Sequence, residues 1–210
     1  MSARVTDRRD RRRSSVARAP RRWPGTIPPD ARERPSRGPG GASFDYLVDG
    51  VLVARVHYHP TGAMAWELHF DPERRSHGLE REGDEAGRIT YSARYRHGLQ
   101  VGQQKQWDRQ GQLIVSTSFV RGSGLELWYC GAQCWEERHF ARGERDGVER
   151  MWAGTSRVWR EERFAHGLPH GIARQWNDAG GLRRGFPQYF VAGKKVDRRA
   201  YDRARRSDRT

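Results

Sequence analysis

One spacing recurs along this chain and limits what it can fold into: an aromatic residue, two residues, Gly, three residues, Gly, four residues, then Trp or Tyr. It runs Tyr95/Gly98/Gly102/Trp107, Phe140/Gly143/Gly147/Trp152 and Phe164/Gly167/Gly171/Trp176. A shortened copy, Phe119/Gly122/Gly124/Tyr129, lies between the first two, and Phe190/Gly193 begins another. The step from one aromatic to the next is about 21 to 26 residues, the period of a repeat array rather than of a single globular core.

Within each period the side chains alternate as in a half-buried strand. Met64, Trp66, Leu68 and Phe70 fall on one face, with Ala63, Ala65, Glu67 and His69 on the other. Ile89/Tyr91/Ala93/Tyr95 and Leu113/Val115/Thr117/Phe119 repeat the pattern, each closing eight residues after a turn glycine (Gly62, Gly87, Gly111). Short polar inserts (Tyr58 to Gly62, Trp107 to Gly111, Trp176 to Gly180) end in glycine, which adopts positive φ without a Cβ clash. The glycine pairs Gly98/Gly102, Gly143/Gly147 and Gly167/Gly171 would turn the chain at the opposite edge. The expected fold is all-β: a single-layer solenoid of stacked β-hairpins, about five to six units over residues 42–196, none of which could bury its aromatic face alone.

Composition matters where it opposes this reading. Aliphatic content is low and the net charge is +14, a combination that ordinarily argues for disorder. The 8 Trp, 7 Tyr and 24 Gly supply the missing mass and the turns, since each large aromatic can bury roughly 150 to 250 Å². The charge is also uneven: residues 1–41 carry +8, residues 194–210 carry +5 and the body between them only +1. Three of the 40 basic residues are Lys, the pattern expected of a GC-rich genome that favours Arg codons, so basicity by itself is a weak argument for nucleic acid.

Residues 1–41 hold six of the ten prolines with Arg, Ser and Gly, and are expected to be a disordered Arg/Pro-rich arm. They lack the apolar run of a signal peptide, and no stretch approaches the length of a membrane span, so a cytoplasmic location is expected. In residues 197–210 a short basic helix is expected to cap the open end of the last hairpin: Val196, Ala200 and Ala204 recur at helical spacing beside Tyr201. The two basic tails have two readings, a solvated surface or an electrostatic anchor to anionic lipid or nucleic acid.

The unit Phe164-Ala-His-Gly167-Leu-Pro-His-Gly171-Ile-Ala-Arg-Gln-Trp176-Asn-Asp-Ala-Gly180 resembles the bacterial MORN-repeat variant, whose members are often labelled antitoxin components of toxin-antitoxin systems. The likeness covers about residues 50–196. It implies a β-hairpin solenoid and a binding or scaffolding role without catalysis. Val53 in place of a glycine, Gly83 in place of an aromatic and short turns at Gly131 and Gly154 depart from the pattern.

The face carrying the closing aromatic changes character along the array. Two residues before that aromatic the series is Leu68, Ala93, Thr117, Arg138, Glu162; four before, it is Trp66, Tyr91, Val115, Glu136, Arg160. Equivalent strands of successive hairpins lie about 9.6 Å apart, so Arg138/Glu162 and Glu136/Arg160 could meet only through extended side chains. Two roles remain open: a charge ladder that holds register, or a recognition strip of Arg138, Arg160 and Glu162 flanked by Trp135, Trp152, Trp159 and Trp176 that binds another protein.

No catalytic constellation is evident. His77, His97, His166 and His170 each precede a glycine at a unit boundary, a turn position. His57 and His59 lack a third ligand, with His69 placed away from both, so neither metal nor cofactor is expected. Cys130 and Cys134 bracket a turn, as a cross-turn disulfide or as two free thiols. Glu136/Glu137 and Glu161/Glu162 point to opposite faces of a strand. The leading expectation is a non-enzymatic repeat protein with a protein partner. The alternative is a peripheral adaptor held to anionic membrane or nucleic acid by its tails.

Overall fold

Glycine placement decides how this chain turns back on itself. Six Xaa-Gly pairs, Asp49-Gly50, His97-Gly98, Arg121-Gly122, Arg142-Gly143, His166-Gly167 and Ala192-Gly193, have positive φ at both residues. That is the two-residue hairpin turn whose twist matches the flanking strands. At the opposite edge His59–Gly62, Asp84–Gly87, Asp108–Gly111 and Asn177–Gly180 close wider turns through a Gly N–H donated three residues back. The Asp84 and Asp108 carboxylates each accept two further backbone N–H groups of their own turn.

The computed structural model describes residues 27–38, 41–131, 133–154 and 157–207. Among these the strands are β1 (Arg32–Ser36), β2 (Ser43–Val48), β3 (Val51–Tyr58), β4 (Met64–His69), β5 (Gly78–Gly83), β6 (Ile89–Arg96), β7 (Leu99–Gln100), β8 (Gly102–Trp107) and β9 (Leu113–Val120). They continue as β10 (Ser123–Cys130), β11 (Gln133–Ala141), β12 (Glu144–Ala153), β13 (Arg157–Ala165), β14 (Leu168–Pro169), β15 (Gly171–Gln175), β16 (Gln188–Val191) and β17 (Lys194–Val196), with one helix, α1 (Arg198–Ser207). All 17 strands belong to one open antiparallel sheet. Each pairs with its neighbour along the chain, except that β7 and β8 both pair with β6, and β14 and β15 both with β13. The expected all-β hairpin array is therefore the fold.

Successive turns are tied by backbone. The amides of Gly98, Gly122, Gly143, Gly167 and Gly193 donate to the carbonyls of Ser76, Gln100, Gly122, Arg145 and Pro169, at 2.8 to 2.9 Å. A second bond often accompanies the first, from the residue before the second glycine of a unit. His77 Nδ1, Ser123 Oγ, Asp146 Oδ2 and His170 Nδ1 accept the N–H of His97, Arg142, His166 and Ala192 in the next turn. His77 and His170 thus have the turn role their position suggested.

Three expectations need correction. The first concerns residues 1–41: residues 1–26 lie outside the described residues, but Arg32–Ser36 is no part of a disordered arm. As β1 it pairs with β2 over five positions from Arg32↔Leu47 to Ser36↔Ser43, and Arg34 binds Asp45. Alternating Arg and Glu on an edge strand offered no apolar signal.

The second concerns alternation. Each long hairpin carries one extra residue near its turn, at Ala65, Thr90, Ile114, Trp135 and Trp159. The insertion flips the residues ahead of it. Met64 therefore pairs with Tyr58 on the face of Glu67, not of Trp66, and Ile89 and Leu113 change faces likewise. Glu67 and His69, on the face opposite Trp66 and Leu68, are buried at 0% and 8% exposure. Glu67 Oε1 meets His69 Nε2 at 2.5 Å, and Arg81 closes on Glu67 through Nε and a terminal nitrogen.

The third concerns Gly83, an apparent defect in the aromatic column. A Cβ there would lie 2.5 Å from the Met64 carbonyl oxygen, so the close approach of β4 demands glycine.

At the end of the array α1 behaves as a cap. Asp197 is its N-cap, with Oδ1 accepting the Ala200 N–H at 2.8 Å. Tyr201 lies against Tyr189 of β16, with ring centroids 5.4 Å apart. Asp197→Ala should cost the helix about 1 kcal/mol. The checkable result is faster amide exchange across residues 198–207, with the body unaffected.

Candidate functional site

Because directly paired residues share a face, the register divides the sheet into two surfaces of different chemistry. On the first face the closing aromatics Phe119, Phe140 and Phe164 stand opposite or beside glycines of the neighbouring strand, at Gly102↔Phe119, Gly124↔Phe140 and Gly147↔Phe164. Two positions inward lie Glu80/Ala93, Gln104/Thr117, Glu126/Arg138 and Glu149/Glu162. Two further inward lie Glu82/Tyr91, Gln106/Val115, Trp128/Glu136 and Met151/Arg160.

This face closes upon itself. Tyr91 of β6 stacks on Trp128 of β10 with centroids 5.1 Å apart. In a flat sheet the three strand steps between them would span roughly 14 Å, so the sheet curls toward this side. Gln106 holds the curl: its Nε2 donates to Leu127 O at 2.7 Å and its Oε1 accepts the Tyr129 N–H at 3.0 Å. The interior mixes polar groups with the buried Tyr91, Ala93 and Phe119. Gln104, Gln106, Glu126, Glu136 and Glu149 are all buried.

Arg138 sits at the centre of this interior. It binds Glu136 Oε1 at 2.7 Å and Glu126 Oε2 at 3.2 Å, and lies 4.0 Å from Glu149. Arg145 adds a second cation at 2.8 Å from Glu149 and lies over the Phe164 ring. Burial pushes the Glu136 carboxyl above its ordinary value, against the pull of Arg138. Burial likewise raises Glu80 and Glu82. Arg138 and Glu162 do not meet: Glu149 stands between them, and Glu162 pairs with Arg160 of its own strand at 2.7 Å. The Glu136/Arg160 pair is separated in the same way by Met151.

The second face is built from what the hairpin tips and odd positions carry. A band of aromatic and aliphatic pairs follows one edge: Tyr58/Met64, Trp107/Leu113, Tyr129/Cys134, Trp152/Val158 and Trp176/Leu182. Most are half-buried, while Leu113 and Leu182 are 53% and 44% exposed. Beside the band runs a ladder of alternating charge across β11, β12, β13 and β15. Arg150 bridges Glu137 at 3.6 Å and Glu161 at 3.0 Å, and Arg174 reaches Glu161 at 2.9 Å.

The recognition strip read from the sequence is therefore split between the surfaces. Arg138, Arg160 and Glu162 belong to the inward face; Trp152 and Trp176 belong to the other. Trp135 and Trp159 are the extra residues of their bulges, Trp135 being 41% exposed. Alternation alone could not place them, because the bulge changes the count. Glu126 and Glu149, the carboxylates that complete the Arg138 cluster, went unread. Their signal was present, two residues after the second glycine of a unit, where Glu80, Gln104 and Ala173 also fall.

The remaining candidates have separate fates. His57 bonds Ser43 Oγ at 2.7 Å and stacks on Trp66, whereas His59 bonds the Gly83 carbonyl at 2.9 Å. The two do not converge. Cys130 and Cys134 are free thiols, set diagonally by the pairs Tyr129↔Cys134 and Cys130↔Gln133.

Compared with known proteins, the chain matches no family model, and no curated protein matches its sequence significantly. Among the described residues, no helix is long and apolar enough to cross a membrane.

Proposed function

We propose that this chain is a non-catalytic, MORN-like repeat protein that binds another protein through the second face of its sheet. The supporting observation is the aromatic band Trp107, Tyr129, Trp152 and Trp176 running beside the Glu137/Arg150/Glu161/Arg174 ladder. Half-buried aromatic side chains next to arginines are the residue types that anchor interfaces. The inward face serves the other need of a repeat array, holding curvature and register, because its carboxylates Glu126, Glu136 and Glu149 are buried and paired with Arg138 and Arg145.

The test uses the full chain and its Trp152→Ala/Trp176→Ala variant as baits in extracts of the source cells. A protein retained by the parent at moderate salt should be lost at least tenfold by the double variant. Arg138→Ala, on the inward face, should retain it in proportion to the folded fraction. Equal retention by parent and double variant overturns the reading.

The adaptor reading draws on a different feature, the exposed basic side of the C-terminal cap. Lys194, Lys195, Arg198, Arg199, Arg203, Arg205 and Arg206 are exposed there, with Arg198 lying 3.9 Å from Asp202. Its signature is binding to anionic vesicles or nucleic acid that falls steeply between 50 and about 200 mM salt.

A further inference from the structure

One edge turn breaks the pattern of the others. Between β4 and β5 the two-residue Xaa-Gly turn is replaced by Asp71-Pro72-Glu73-Arg74-Arg75. Asp71 N–H donates to Arg75 O at 3.0 Å, and Asp71 Oδ1 accepts the Arg75 N–H at 2.9 Å. Arg74 takes positive φ where the related wide turns have glycine. The closure fixes the Asp71 carboxylate, which is buried at 4% exposure, and turns its second oxygen toward the neighbouring hairpin turn. There His97 Nδ1 lies 3.0 Å from Asp71 Oδ2, and the His77 and His97 rings are 4.6 Å apart. One ligand atom from each of Asp71, His77 and His97 falls within 4.8 Å of the other two.

We propose that Asp71, His77 and His97 form a binding site for a divalent transition-metal ion of the zinc class, with the fourth position open to solvent. Two imidazoles and one carboxylate are a donor set that such ions favour. Ligand atoms about 2.0 to 2.1 Å from a tetrahedral ion lie about 3.3 Å apart. The Asp71–His97 separation of 3.0 Å is close to this, and the His77 ligand atom, within 4.8 Å of both, would close the remaining gap on binding. The ion would replace two contacts. His77 Nδ1 now accepts the His97 N–H at 3.3 Å, a long bond. Arg75 now supplies the positive charge at Asp71 Oδ2, 2.8 Å away, and also touches His97 Nδ1 at 3.2 Å. Displaced by a metal, Arg75 keeps its second partner, Glu73, at 3.1 Å. Arg75 is therefore the built-in competitor of the ion. Asp71 and His97 are 26 residues apart in sequence, so the ion would staple two neighbouring units at an edge turn that lacks an Xaa-Gly pair.

The experiment is titration of the untagged full chain with Co²⁺, whose visible bands report a low-coordinate site, followed by displacement with Zn²⁺. A single saturating equivalent is expected. It should survive in a Cys130→Ser/Cys134→Ser variant, which removes the thiols as ligands. His97→Ala should weaken binding at least a hundredfold, and Asp71→Asn should weaken it as well. His170→Ala, which deletes the same turn contact one edge position from the C-terminal end, should leave binding unchanged. Arg75→Gln should tighten it, an effect no purely structural role for these residues produces. The proposal is overturned by the absence of saturable binding in the parent, or by equal binding in parent and His97→Ala proteins of matching circular dichroism. Loss of the signal in the cysteine variant would also overturn it.

Discussion

Gly122→Ala should destabilise the protein by about 3 kcal/mol or more, whereas Gly111→Ala should cost about 1 kcal/mol. Both glycines have nearly the same backbone, φ +76° and +79°. They differ in surroundings. At Gly111 an added Cβ meets nothing within 4 Å. At Gly122 it would lie 2.6 Å from the Gly143 amide nitrogen, 3.1 Å from the Arg142 carbonyl carbon and 3.0 Å from Leu99 Cδ2. Gly143 N–H is the donor to Gly122 O, so the methyl group would push apart the backbone bond joining two units. In a repeat array whose stability is a sum of unit and interface terms, losing one interface uncouples the two sides. Denaturant unfolding followed by tryptophan fluorescence should split into two transitions for Gly122→Ala and remain single for Gly111→Ala. Equal losses would mean that turn strain, not stacking, dominates.

The second large effect is expected at Arg138. Its removal leaves Glu126, Glu136 and Glu149 crowded around one missing cation. Breaking a buried charge pair by deleting one partner costs roughly 3 to 5 kcal/mol. With Arg138 itself 33% exposed, solvent relieves part of this, and Arg138→Ala should cost about 2 to 4 kcal/mol. The pH dependence identifies the cause. Burial holds the Glu136 carboxyl above its ordinary 4.5 in the folded protein. A carboxyl raised on folding takes its proton more readily folded than unfolded. Its contribution to stability is therefore lost as pH rises from the unfolded value through the folded one. Removing Arg138 raises Glu136 further and widens that interval. The deficit of Arg138→Ala should thus be greatest at neutral pH and shrink as pH falls toward 4.5. Adding Glu136→Gln should return part of the loss at pH 7. A deficit that stays constant with pH would instead assign the effect to packing of the arginine stem. Asp71 behaves oppositely. Although burial works against it, bonds from His97 and Arg75 hold its carboxyl well below the usual range. Its contribution is present above the unfolded carboxylate value and is lost in acid, so the comparison should be read as a difference between variant and parent at each pH.

The division of labour between the two faces has a consequence for any engineered version of this protein. Substitutions at Glu126, Glu136, Arg138 or Glu149 act on folding first, because the three carboxylates are buried and share Arg138 as partner. Substitutions at Trp152, Trp176, Arg150 or Arg174 act on a surface that is half open, and should change binding with smaller losses of stability. A cluster of charge in the sequence reads the same in both places; its burial is what differs.

Local chemistry wrote much of this architecture directly into the chain. Most glycines at the repeat spacing, from Gly98 and Gly102 to Gly167 and Gly171, take the positive φ that glycine permits, so the turns, the hairpins and the repeat period follow from residues close in sequence. The closing aromatics and the series Leu68, Ala93, Thr117, Arg138, Glu162 follow too, because alternation holds over the uninterrupted part of each strand. Tertiary structure decided the rest. One extra residue in each long hairpin reversed the face of Met64, Ile89 and Leu113, a change that depends on the partner strand and leaves no mark in composition. The curl that brings Tyr91 onto Trp128, and the burial of Glu67 and Glu136 that goes with the folded sheet, come from contacts between strands far apart in the chain. So does the meeting of Asp71, His77 and His97, since it requires two edge turns to stack through the Gly98–Ser76 backbone bond. Sequence periodicity reports which residues share a strand face, but only the paired and curled sheet determines which face is inside.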